Sequence, residues 1–479
     1  MLKINCKSKE NYLLLVISLD GFRDDYLDRY SNDNGFLKRF SQTGFKAAWS
    51  ESIFPANTYP NHWSIVTGLY PESHGIINNH VYDPIINKRF LMAKDREDSE
   101  GWFQQAEPVW IKNQKFNKGK QSVIFDWPGA PAVFDYVKPF VSRQFNSEFK
   151  NFTFFNKTVE SFVDSLEKDV TNFAFLYFNE PDAKGHGYGP ESKQVEHVVK
   201  ELDYVLEYLF FLLKTRKNYD IDNEIDCLIV TDHGMASVRE NIEDTSKFIY
   251  LSDYFNISEI LQYENCNYGP LAELWFKNEK NDLENVYNKI KNDLKSEDKK
   301  KIRGIYLKKD IPERFHLKNS YRVAPLVLTA NIGYQIVMER NKKFSITKQR
   351  AQHGYEPNDI QMRGIFLAKG KSFKRFYRSH EPVHLIDIYS LLCKLLNLTP
   401  NPNNGTLSRI DHVLADEDEF KTSLSIFIKL SLFILISLFF YFLISSLFRR
   451  RIFLVNTIYL ISVIIIFILY YNINVKYEK

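Results

Sequence analysis

The sequence predicts an α/β fold in which helices cover both faces of a central, mostly parallel sheet. Apolar runs of strand length alternate with helical patterns along the chain, and this alternation is typical of parallel strand pairing. The clearest helix is predicted at Val195–Lys214, where apolar residues recur at three- and four-residue spacing. The predicted strands are Leu13–Leu19, Ser122–Phe125, Phe173–Phe178, Asp226–Val230 and Gly364–Ala368.

Three of these strands end in side chains that can bind a metal. Asp20 ends the first strand, Asp182 and His186 follow the third in "NEPDAKGHG", and Asp232 and His233 follow the fourth in "TDHGM". An isolated Asp–His pair is more often a structural hydrogen bond. Here, however, the carboxyl ends of parallel strands should meet at one edge of the sheet. Carboxylate and imidazole ligands suit zinc or a similar transition metal, so we expect a metal centre at this edge.

A candidate attacking group lies in Phe54–Gly68, "FPANTYPNHWSIVTG". Thr58 stands between Pro55 and Pro60 and precedes an apparent helix. The N-terminus of a helix offers free backbone N–H groups and a favourable field for a phosphoryl anion. Two metal ions about 4 Å apart are the usual device for in-line displacement at phosphorus. Thr58 is therefore either the nucleophile or simply a helix N-cap.

Composition narrows the function classes. Hydrophobic residues make up 44% of the 479 residues, which is ample for a large core. The 63 basic and 59 acidic residues are interspersed, which argues against binding to a nucleic-acid duplex. Four cysteines show no zinc-finger spacing. Five N-x-S/T sequons are compatible with a glycoprotein, and they begin at Asn151, Asn156, Asn256, Asn397 and Asn404.

Two uncharged runs near the C-terminus predict membrane helices, at Leu430–Phe448 and Ile452–Tyr471. Arg449–Arg451 between them should lie on the cytoplasmic side, which places the preceding domain on the extracellular or luminal side. We expect a catalytic domain at 12–412 and a juxtamembrane linker at 413–429. The N-terminus shows no recognisable signal peptide, and Leu13–Leu19 is interpreted as a buried strand.

Six motifs together resemble the ectonucleotide pyrophosphatase/phosphodiesterase family of the alkaline phosphatase superfamily. In chain order they are "SLDGFR", "FPANTYPNHWSIVTGLYPESHGIINNHVYDP", "NEPDAKGHGYGP", "VTDHGM", "HGYEPNDIQMRGIFLAKG" and "PNNGT". The resemblance covers roughly Leu13 to His412, and it is greatest to the short, membrane-anchored members. It implies an alkaline-phosphatase-like sandwich fold.

The resemblance also implies two zinc ions and assigns their ligands. One ion would be bound by Asp182, His186 and His353. The other would be bound by Asp20, Asp232, His233 and the nucleophile Thr58. His353 is assigned by the resemblance alone.

Further roles follow from the same resemblance. Asn79 would donate a hydrogen bond to a phosphate oxygen, and Tyr59 and Phe145 would enclose a nucleotide base. Catalysis would be a double displacement, in which Thr58 attacks phosphorus and water then hydrolyses the phosphothreonine. For Tyr59 and Phe145, ordinary core packing is the competing interpretation.

Several positions depart from the family pattern. Asn57 stands before Thr58 where many members have a lysine, which bears on substrate preference more than on catalysis. Cys393 matches a family cysteine, but no cysteine follows it, so that disulfide should be absent. His62, His74 and His80 are interpreted as structural.

The sequence therefore predicts a zinc phosphodiesterase that cleaves nucleotide pyrophosphate or phosphodiester bonds to nucleoside monophosphates. A choline-phosphate or lysophospholipid substrate at the same site is the first alternative. A membrane-tethered ectodomain without turnover is the second, although the intact set of ligands argues against it. A phosphomonoesterase is disfavoured because such enzymes in this superfamily typically attack with serine and add a third metal.

Overall fold

The computed structural model describes residues 12–92, 101–143, 152–340 and 349–415, together with Ser437. By contacts the chain divides into two units, Met1–Leu414 and Ala415–Lys479. The fold described below is that of the first unit.

The strands of this unit are numbered in chain order. They are β1 Leu13–Leu19, β2 Phe45–Lys46, β3 Ser50–Glu51, β4 His80–Asp83, β5 Lys88–Leu91, β6 Gln121–Phe125, β7 Val141–Arg143, β8 Thr171–Phe178, β9 Ile225–Val230, β10 Ala236–Ser237, β11 Phe248–Tyr250, β12 Leu271–Leu274, β13 Ile302–Leu307, β14 Leu326–Ala330, β15 Gln335–Val337, β16 Ala351–Gln352, β17 Phe366–Lys369, β18 Tyr377–Arg378 and β19 Val383–His384.

The α-helices are numbered in the same way. They are α1 Tyr26–Arg29, α2 Phe36–Thr43, α3 Thr58–Thr67, α4 Pro71–His74, α5 Val109–Phe116, α6 Phe152–Ser165, α7 Asp182–Tyr188, α8 Lys193–Lys217, α9 Ile257–Ile260, α10 Glu279–Asp293, α11 Ser296–Lys299, α12 Ile388–Leu395 and α13 Leu407–Ile410.

An eight-stranded sheet forms the centre of the fold, in the order β18-β2-β17-β9-β1-β8-β6-β7. The five strands from β9 to β7 run parallel to one another, which confirms the predicted parallel sheet. The predicted strand at Gly364–Ala368 lies in β17 but runs antiparallel to β9. No sequence signal indicated that direction. The sheet is therefore mostly parallel, with the antiparallel strand next to the parallel core.

Both faces of the sheet are covered, because β1 divides its side chains between two cores. Leu14 and Val16 face one core, to which α3, α5 and α12 contribute. Leu13, Leu15 and Ile17 face the other core, which α2, α6 and α8 complete. A strand that is buried on both faces reads as a continuous apolar run, and this is the pattern that predicted β1.

A third core lies outside the main sheet. It packs α10 and the pair β11–β15 against the three-stranded sheet β12-β14-β13. The charged segment Lys277–Lys301 includes α10 and α11. Val286 and Ile290 supply the apolar stripe by which α10 contacts this core. Most of the other α10 side chains face solvent.

The predicted membrane segments, 430–448 and 452–471, lie outside the described residues except for Ser437, as does the linker beyond residue 415. Within the described ranges, no helix combines the length and the apolar character needed to cross a bilayer.

The first prediction concerns Asp203, a buried residue of α8 that holds the start of α2. Its carboxylate accepts hydrogen bonds from the backbone N–H groups of Phe36 at 3.0 Å and Leu37 at 2.6 Å. Asp203→Ala removes this acceptor and leaves the two backbone N–H groups without their partner in the folded protein. The free energy of unfolding should fall by about 1–3 kcal/mol, measured from guanidinium chloride unfolding midpoints. Asp203→Asn retains one acceptor oxygen and should lose less. Equal stabilities for Asp203→Ala and the wild type would contradict this role.

Candidate metal centre and nucleophile

The carboxyl ends of β1, β8 and β9 bring Asp20, Asp182 and Asp232 to one edge of the sheet. Asp20 directly follows β1, Asp232 follows β9 by one residue, and Asp182 begins α7 just after β8. The backbone N–H of Asp182 donates to the carbonyl oxygen of Asp20 at 3.0 Å. Gly21 permits this approach: its φ is +65°, and a Cβ there would lie 2.9 Å from the Cβ of Asp182.

Two groups of three ligand side chains lie at this edge. Asp182, His186 and His353 form one group, which we call the first triad. Asp20, Asp232 and His233 form the other group, the second triad. In each group, one ligand atom from every residue lies within 4.8 Å of the others. The first triad contains the residues that the family resemblance implied for one ion, and the second triad contains those implied for the other ion apart from Thr58. Asp182 and His186 lie on one helical turn of α7.

The carboxylates of the triads carry oxygens suited to a cation. Asp20 Oδ1, Asp182 Oδ1 and Asp232 Oδ2 are buried and have no hydrogen-bond donor. The other oxygens of two of these residues are held: Tyr177 donates its hydroxyl to Asp20 Oδ2, and Gly21 donates its N–H to Asp232 Oδ1 at 3.1 Å. Buried carboxylate oxygens normally have a partner. Three unpaired ones, each on a triad residue, fit a metal centre.

The three triad histidines present the same nitrogen to the centre. Nδ1 of His186 lies 3.0 Å from the carbonyl oxygen of Ala351, and Nδ1 of His233 lies 2.9 Å from that of Gly234. Nδ1 of His353 lies 3.0 Å from the carbonyl oxygen of Ala56. A carbonyl oxygen only accepts, so each Nδ1 carries the proton and each Nε2 is left with a lone pair.

Those Nε2 atoms point at the carboxylates. His186 Nε2 and His353 Nε2 lie 3.4 Å and 3.6 Å from Asp182 Oδ1. His233 Nε2 lies 3.1 Å from Asp232 Oδ2. Neutral imidazole and carboxylate oxygen are the donor set that zinc prefers among oxygen and nitrogen sites. The residues present therefore fit the two zinc ions that the resemblance implied.

The position of His353 in the centre does not follow from the rule that ligand groups gather at the carboxyl ends of parallel strands. It follows β16, which pairs antiparallel with β10 in a separate two-stranded sheet. Because β10 lies just after His233 in the chain, this pairing returns His353 to the same edge. Its ring stacks on that of His233 with centroids 3.7 Å apart. In the sequence, the dipeptide "HG" at His353 lies outside every predicted strand, so no local signal indicates this placement.

Thr58 is the first residue of α3 and faces the second triad. Its Oγ1 lies 3.3 Å from His233 Nε2, and its side chain is buried. Asn57, the N-cap residue, does not cap the helix with its side chain. The hydroxyl of Thr58 is thus close to the second triad, and Thr58 is not the N-cap residue of α3.

Asn79 and Tyr59 lie beside Thr58. The backbone N–H of Tyr59 donates to Asn79 Oδ1 at 2.9 Å, which holds this amide beside Thr58. The Tyr59 ring packs against Phe90 and Phe103, with centroids 5.3 Å and 6.2 Å away. Phe145 lies outside the described residues.

The histidines interpreted as structural have different surroundings. His62 is buried in α3, with Nδ1 2.8 Å from the carbonyl oxygen of Thr58 and Nε2 2.8 Å from Ser18 Oγ. His74 is buried with Nε2 3.1 Å from Ser64 Oγ. Neither belongs to a triad. His62 thus contacts the backbone of Thr58, the first residue of α3.

Electrostatic repulsion marks the centre. Burial raises the pKa of Asp20 well above its ordinary value, and the carboxylates of Asp232 and Asp182 raise it further. Burial also raises the pKa of Asp182. Burial acts in the same direction on Asp232, but His233, His62 and the N–H of Gly21 together outweigh it and bring the pKa to about 2. Burial lowers the pKa of His353 well below its ordinary value, which keeps the imidazole neutral and able to bind a metal.

Comparison with known proteins settles the family. A model described as type I phosphodiesterase/nucleotide pyrophosphatase matches residues 14–356, well over half of the chain. The chain belongs to this family. It is accordingly a hydrolase of phosphodiester and pyrophosphate bonds, within the ectonucleotide pyrophosphatase/phosphodiesterase group of the alkaline phosphatase superfamily.

Individual relatives are similar over nearly the whole described unit. The human bis(5'-adenosyl)-triphosphatase ENPP4 is 32% identical over 411 residues, which span 84% of this chain and 82% of the relative. A pyrophosphatase/phosphodiesterase of Schizosaccharomyces pombe is 32% identical over 399 residues, 82% of this chain and 78% of the relative. The structure of an inactive variant of murine ENPP5 with AMP superposes with a TM-score of 0.74 and 31% identity, covering 84% of this chain and all of that one.

The second prediction concerns the metal-free protein. Because the folded-state pKa values of Asp20 and Asp182 exceed the ordinary 3.8, the folded protein binds more protons than the unfolded chain. The stability that these two carboxyl groups contribute is thus fully present below pH 3.8. It is lost as pH rises through their folded-state pKa values. The lowered pKa of Asp232 acts with the opposite sign, but below 3.8 and outside this window.

Thermal unfolding of chelator-treated protein between about pH 5 and 8 measures this dependence. The double variant Asp20→Asn, Asp182→Asn should gain stability over the wild type as pH rises, since it has no charge to repel. Added Zn²⁺ should raise the unfolding midpoint of the wild type most at the higher pH, by binding only the folded state. A pH-independent difference between wild type and double variant would refute the repulsion.

Proposed function

We propose that this chain is a two-zinc hydrolase that cleaves nucleotide pyrophosphate bonds, dinucleoside polyphosphates among them, and releases nucleoside monophosphates. The observation that carries the proposal is the Thr58 hydroxyl at the start of α3, 3.3 Å from His233 Nε2 and directed at the second triad. The relatives narrow the substrate class, since one is a bis(5'-adenosyl)-triphosphatase and another was solved with AMP.

The first and second triads would each hold one zinc ion, with Thr58 as a further ligand of the second. When bound, the two ions supply a lowered pKa for an attacking oxygen and positive charge beside the phosphoryl oxygens. Three buried carboxylate oxygens without a hydrogen-bond donor, and three imidazoles whose Nδ1 atoms are held by carbonyl oxygens, support this donor assignment.

Thr58 would attack phosphorus through Oγ1, so that a P–O bond to threonine forms as the P–O bond to the leaving phosphate breaks. Water would then cleave the phosphothreonine and release the monophosphate. Asn79 Nδ2 would donate to a non-bridging oxygen, in a position fixed by the hydrogen bond from Tyr59 N–H to Asn79 Oδ1. The N-terminal field of α3 favours the added negative charge.

The base would contact Tyr59, which is 7% exposed, because Phe90 and Phe103 behind it are fully buried. Tyr59 follows the nucleophile directly, and its packing on Phe90 and Phe103 fixes the plane of its ring. A fixed ring loses little conformational entropy when it contacts a base. Phe145 is proposed as the opposite wall on the family resemblance alone.

The proposal places the catalytic unit outside the cytoplasm on a C-terminal membrane anchor. The two uncharged runs, 430–448 and 452–471, flank an arginine cluster, and this pattern supports the orientation. Exposed sequons support it as well. Asn256, Asn397 and Asn404 are exposed on the described surface.

The third prediction tests the nucleophile with bis(5'-adenosyl) triphosphate as the substrate. The purified protein should release AMP and ADP in equal amounts, followed by chromatography, and a chelator should abolish this activity. Thr58→Ala should lower kcat by at least about a thousandfold, because no protein oxygen remains to attack. Thr58→Ser keeps the hydroxyl and serves as the matched control, with a smaller loss.

One result would overturn the assignment of Thr58 as the nucleophile, and another would overturn the proposed substrate class. Thr58→Ala activity within tenfold of the wild type would exclude Thr58 as the nucleophile. Faster turnover of lysophosphatidylcholine than of the dinucleotide, measured beside it, would favour the lipid alternative.

The fourth prediction concerns glycosylation. Treatment with an N-glycosidase should reduce the mass of protein from a secretory host, and peptide mapping should find glycans at Asn256, Asn397 and Asn404. Asn156 should stay bare, since it lies half-buried in α6 and Thr158 of its sequon is 1% exposed. No glycan at any of the three exposed sites would contradict the proposed orientation, whereas an occupied Asn156 would contradict only the protection of this sequon by burial.

A further inference from the structure

Asn57 uses its side chain inside the protein. Its Oδ1 lies 3.0 Å from Nδ1 of His353, so it shares the imidazole proton with the carbonyl oxygen of Ala56. Its Nδ2 donates to Asn78 Oδ1 at 2.8 Å. Gly354 leaves room for this amide, because a Cβ there would lie 2.6 Å from Asn57 Oδ1. Both ends of the amide are therefore committed to protein partners.

Asn78 joins Asn57 to the phosphate-binding side of the centre. Its Oδ1 accepts from Asn57 Nδ2 and also from the backbone N–H of Asn79 at 2.8 Å. Its Nδ2 donates to Glu273 Oε2 at 2.9 Å. The side chain is 6% exposed, so water competes little for these bonds. One buried amide thus fixes both Asn57 and the backbone of Asn79.

Glu273 anchors this chain of hydrogen bonds in the third core. It lies on β12, is 1% exposed, and its Oε2 also accepts from Asn267 Nδ2 at 2.7 Å. Asn267 Oδ1 in turn accepts from Arg89 at 2.8 Å. Burial raises the pKa of Glu273, while the donors Asn78 and Asn267 act against that shift. Because β12 is paired with β14, it holds Glu273 in place at the end of this chain of hydrogen bonds.

We propose that Asn57, Asn78 and Glu273 form a positioning relay that holds His353 in place within the first triad and Asn79 toward the substrate phosphate. The inference deepens the proposed function and rests on it. It also gives position 57 a role different from the lysine of many family members. Asn57 acts through His353 and Asn78 rather than on the phosphate.

Hydrogen-bonded partners of ligating histidines typically contribute ten- to a hundredfold to metal affinity. Since Ala56 still accepts from His353 when Asn57 is lost, the lower end of that range applies. The relay should also affect kcat, because Asn79 would lose the contact that fixes its backbone.

The experiment measures zinc affinity directly, by competition with a chromophoric chelator, for the full chain and its variants. Asn78→Ala and Asn57→Ala should each lower the affinity for one of the two zinc ions by about tenfold and leave the affinity for the other unchanged. Asn113→Ala is the matched control: Asn113 is fully buried and bonded to Ser122 and Asn172 in a network that contains no triad residue. It should keep wild-type affinity for both ions.

A second pair of variants tests the anchor. Glu273→Gln keeps an acceptor oxygen for Asn78 and should stay within about twofold of the wild type, whereas Glu273→Leu removes the acceptor and should match Asn78→Ala. Steady-state hydrolysis should show the Asn78→Ala loss in kcat more than in KM. Thermal unfolding of metal-free samples reports how much each variant, Asn113→Ala included, weakens the fold itself.

The outcomes separate the two proposals. If the wild type binds two zinc ions and hydrolyses nucleotides, but Asn78→Ala equals Asn113→Ala in zinc affinity and kcat, the relay is wrong and the function stands. If Asn78→Ala loses affinity as expected while the wild type fails on nucleotides, the relay holds and the substrate class is wrong. If the wild type binds no zinc, both proposals fail.

Discussion

The parallel pairing of β9, β1 and β8 holds three carboxylates together against their mutual repulsion. Neighbouring strands lie about 4.8 Å apart, so residues that end three adjacent strands must share a small volume. Asp20, Asp182 and Asp232 occupy that volume away from water, each with an oxygen that lacks a donor. Such an arrangement is costly unless a cation compensates it. The sheet therefore provides the centre, and the remaining ligands are brought to it.

The sequence was sufficient to predict the part of the centre that is local to the sheet. Asp20 and Asp232 were found because a buried strand has a recognisable pattern and its carboxyl end is easily located. Asp182 and His186 were found for the same reason, with the added regularity of a helical turn. These signals need only the residues on either side, which is why they remain visible in a single sequence.

The rest of the centre depends on contacts between distant parts of the chain. His353 needed the family resemblance, because the β10–β16 pairing that returns it to the centre involves only four residues. The antiparallel direction of β17 is equally invisible, since one buried strand resembles another whatever its direction. Asn78 had no signal at all. An asparagine gains its role from where its amide points, and neighbouring residues do not encode that.

The hydrogen bonds that orient the three triad histidines end on main-chain carbonyl oxygens, at Ala56, Gly234 and Ala351. A carbonyl oxygen is present whatever side chain its residue carries. The orientation of the imidazoles is thus insulated from sequence drift at those positions, so long as the backbone path is kept. The side-chain relay through Asn57 and Asn78 has no such protection, because a substitution at either position removes an amide. Substitution of Asn57 or Asn78 would therefore disturb the orientation of His353 more than a substitution of Ala56, Gly234 or Ala351 that keeps the backbone path.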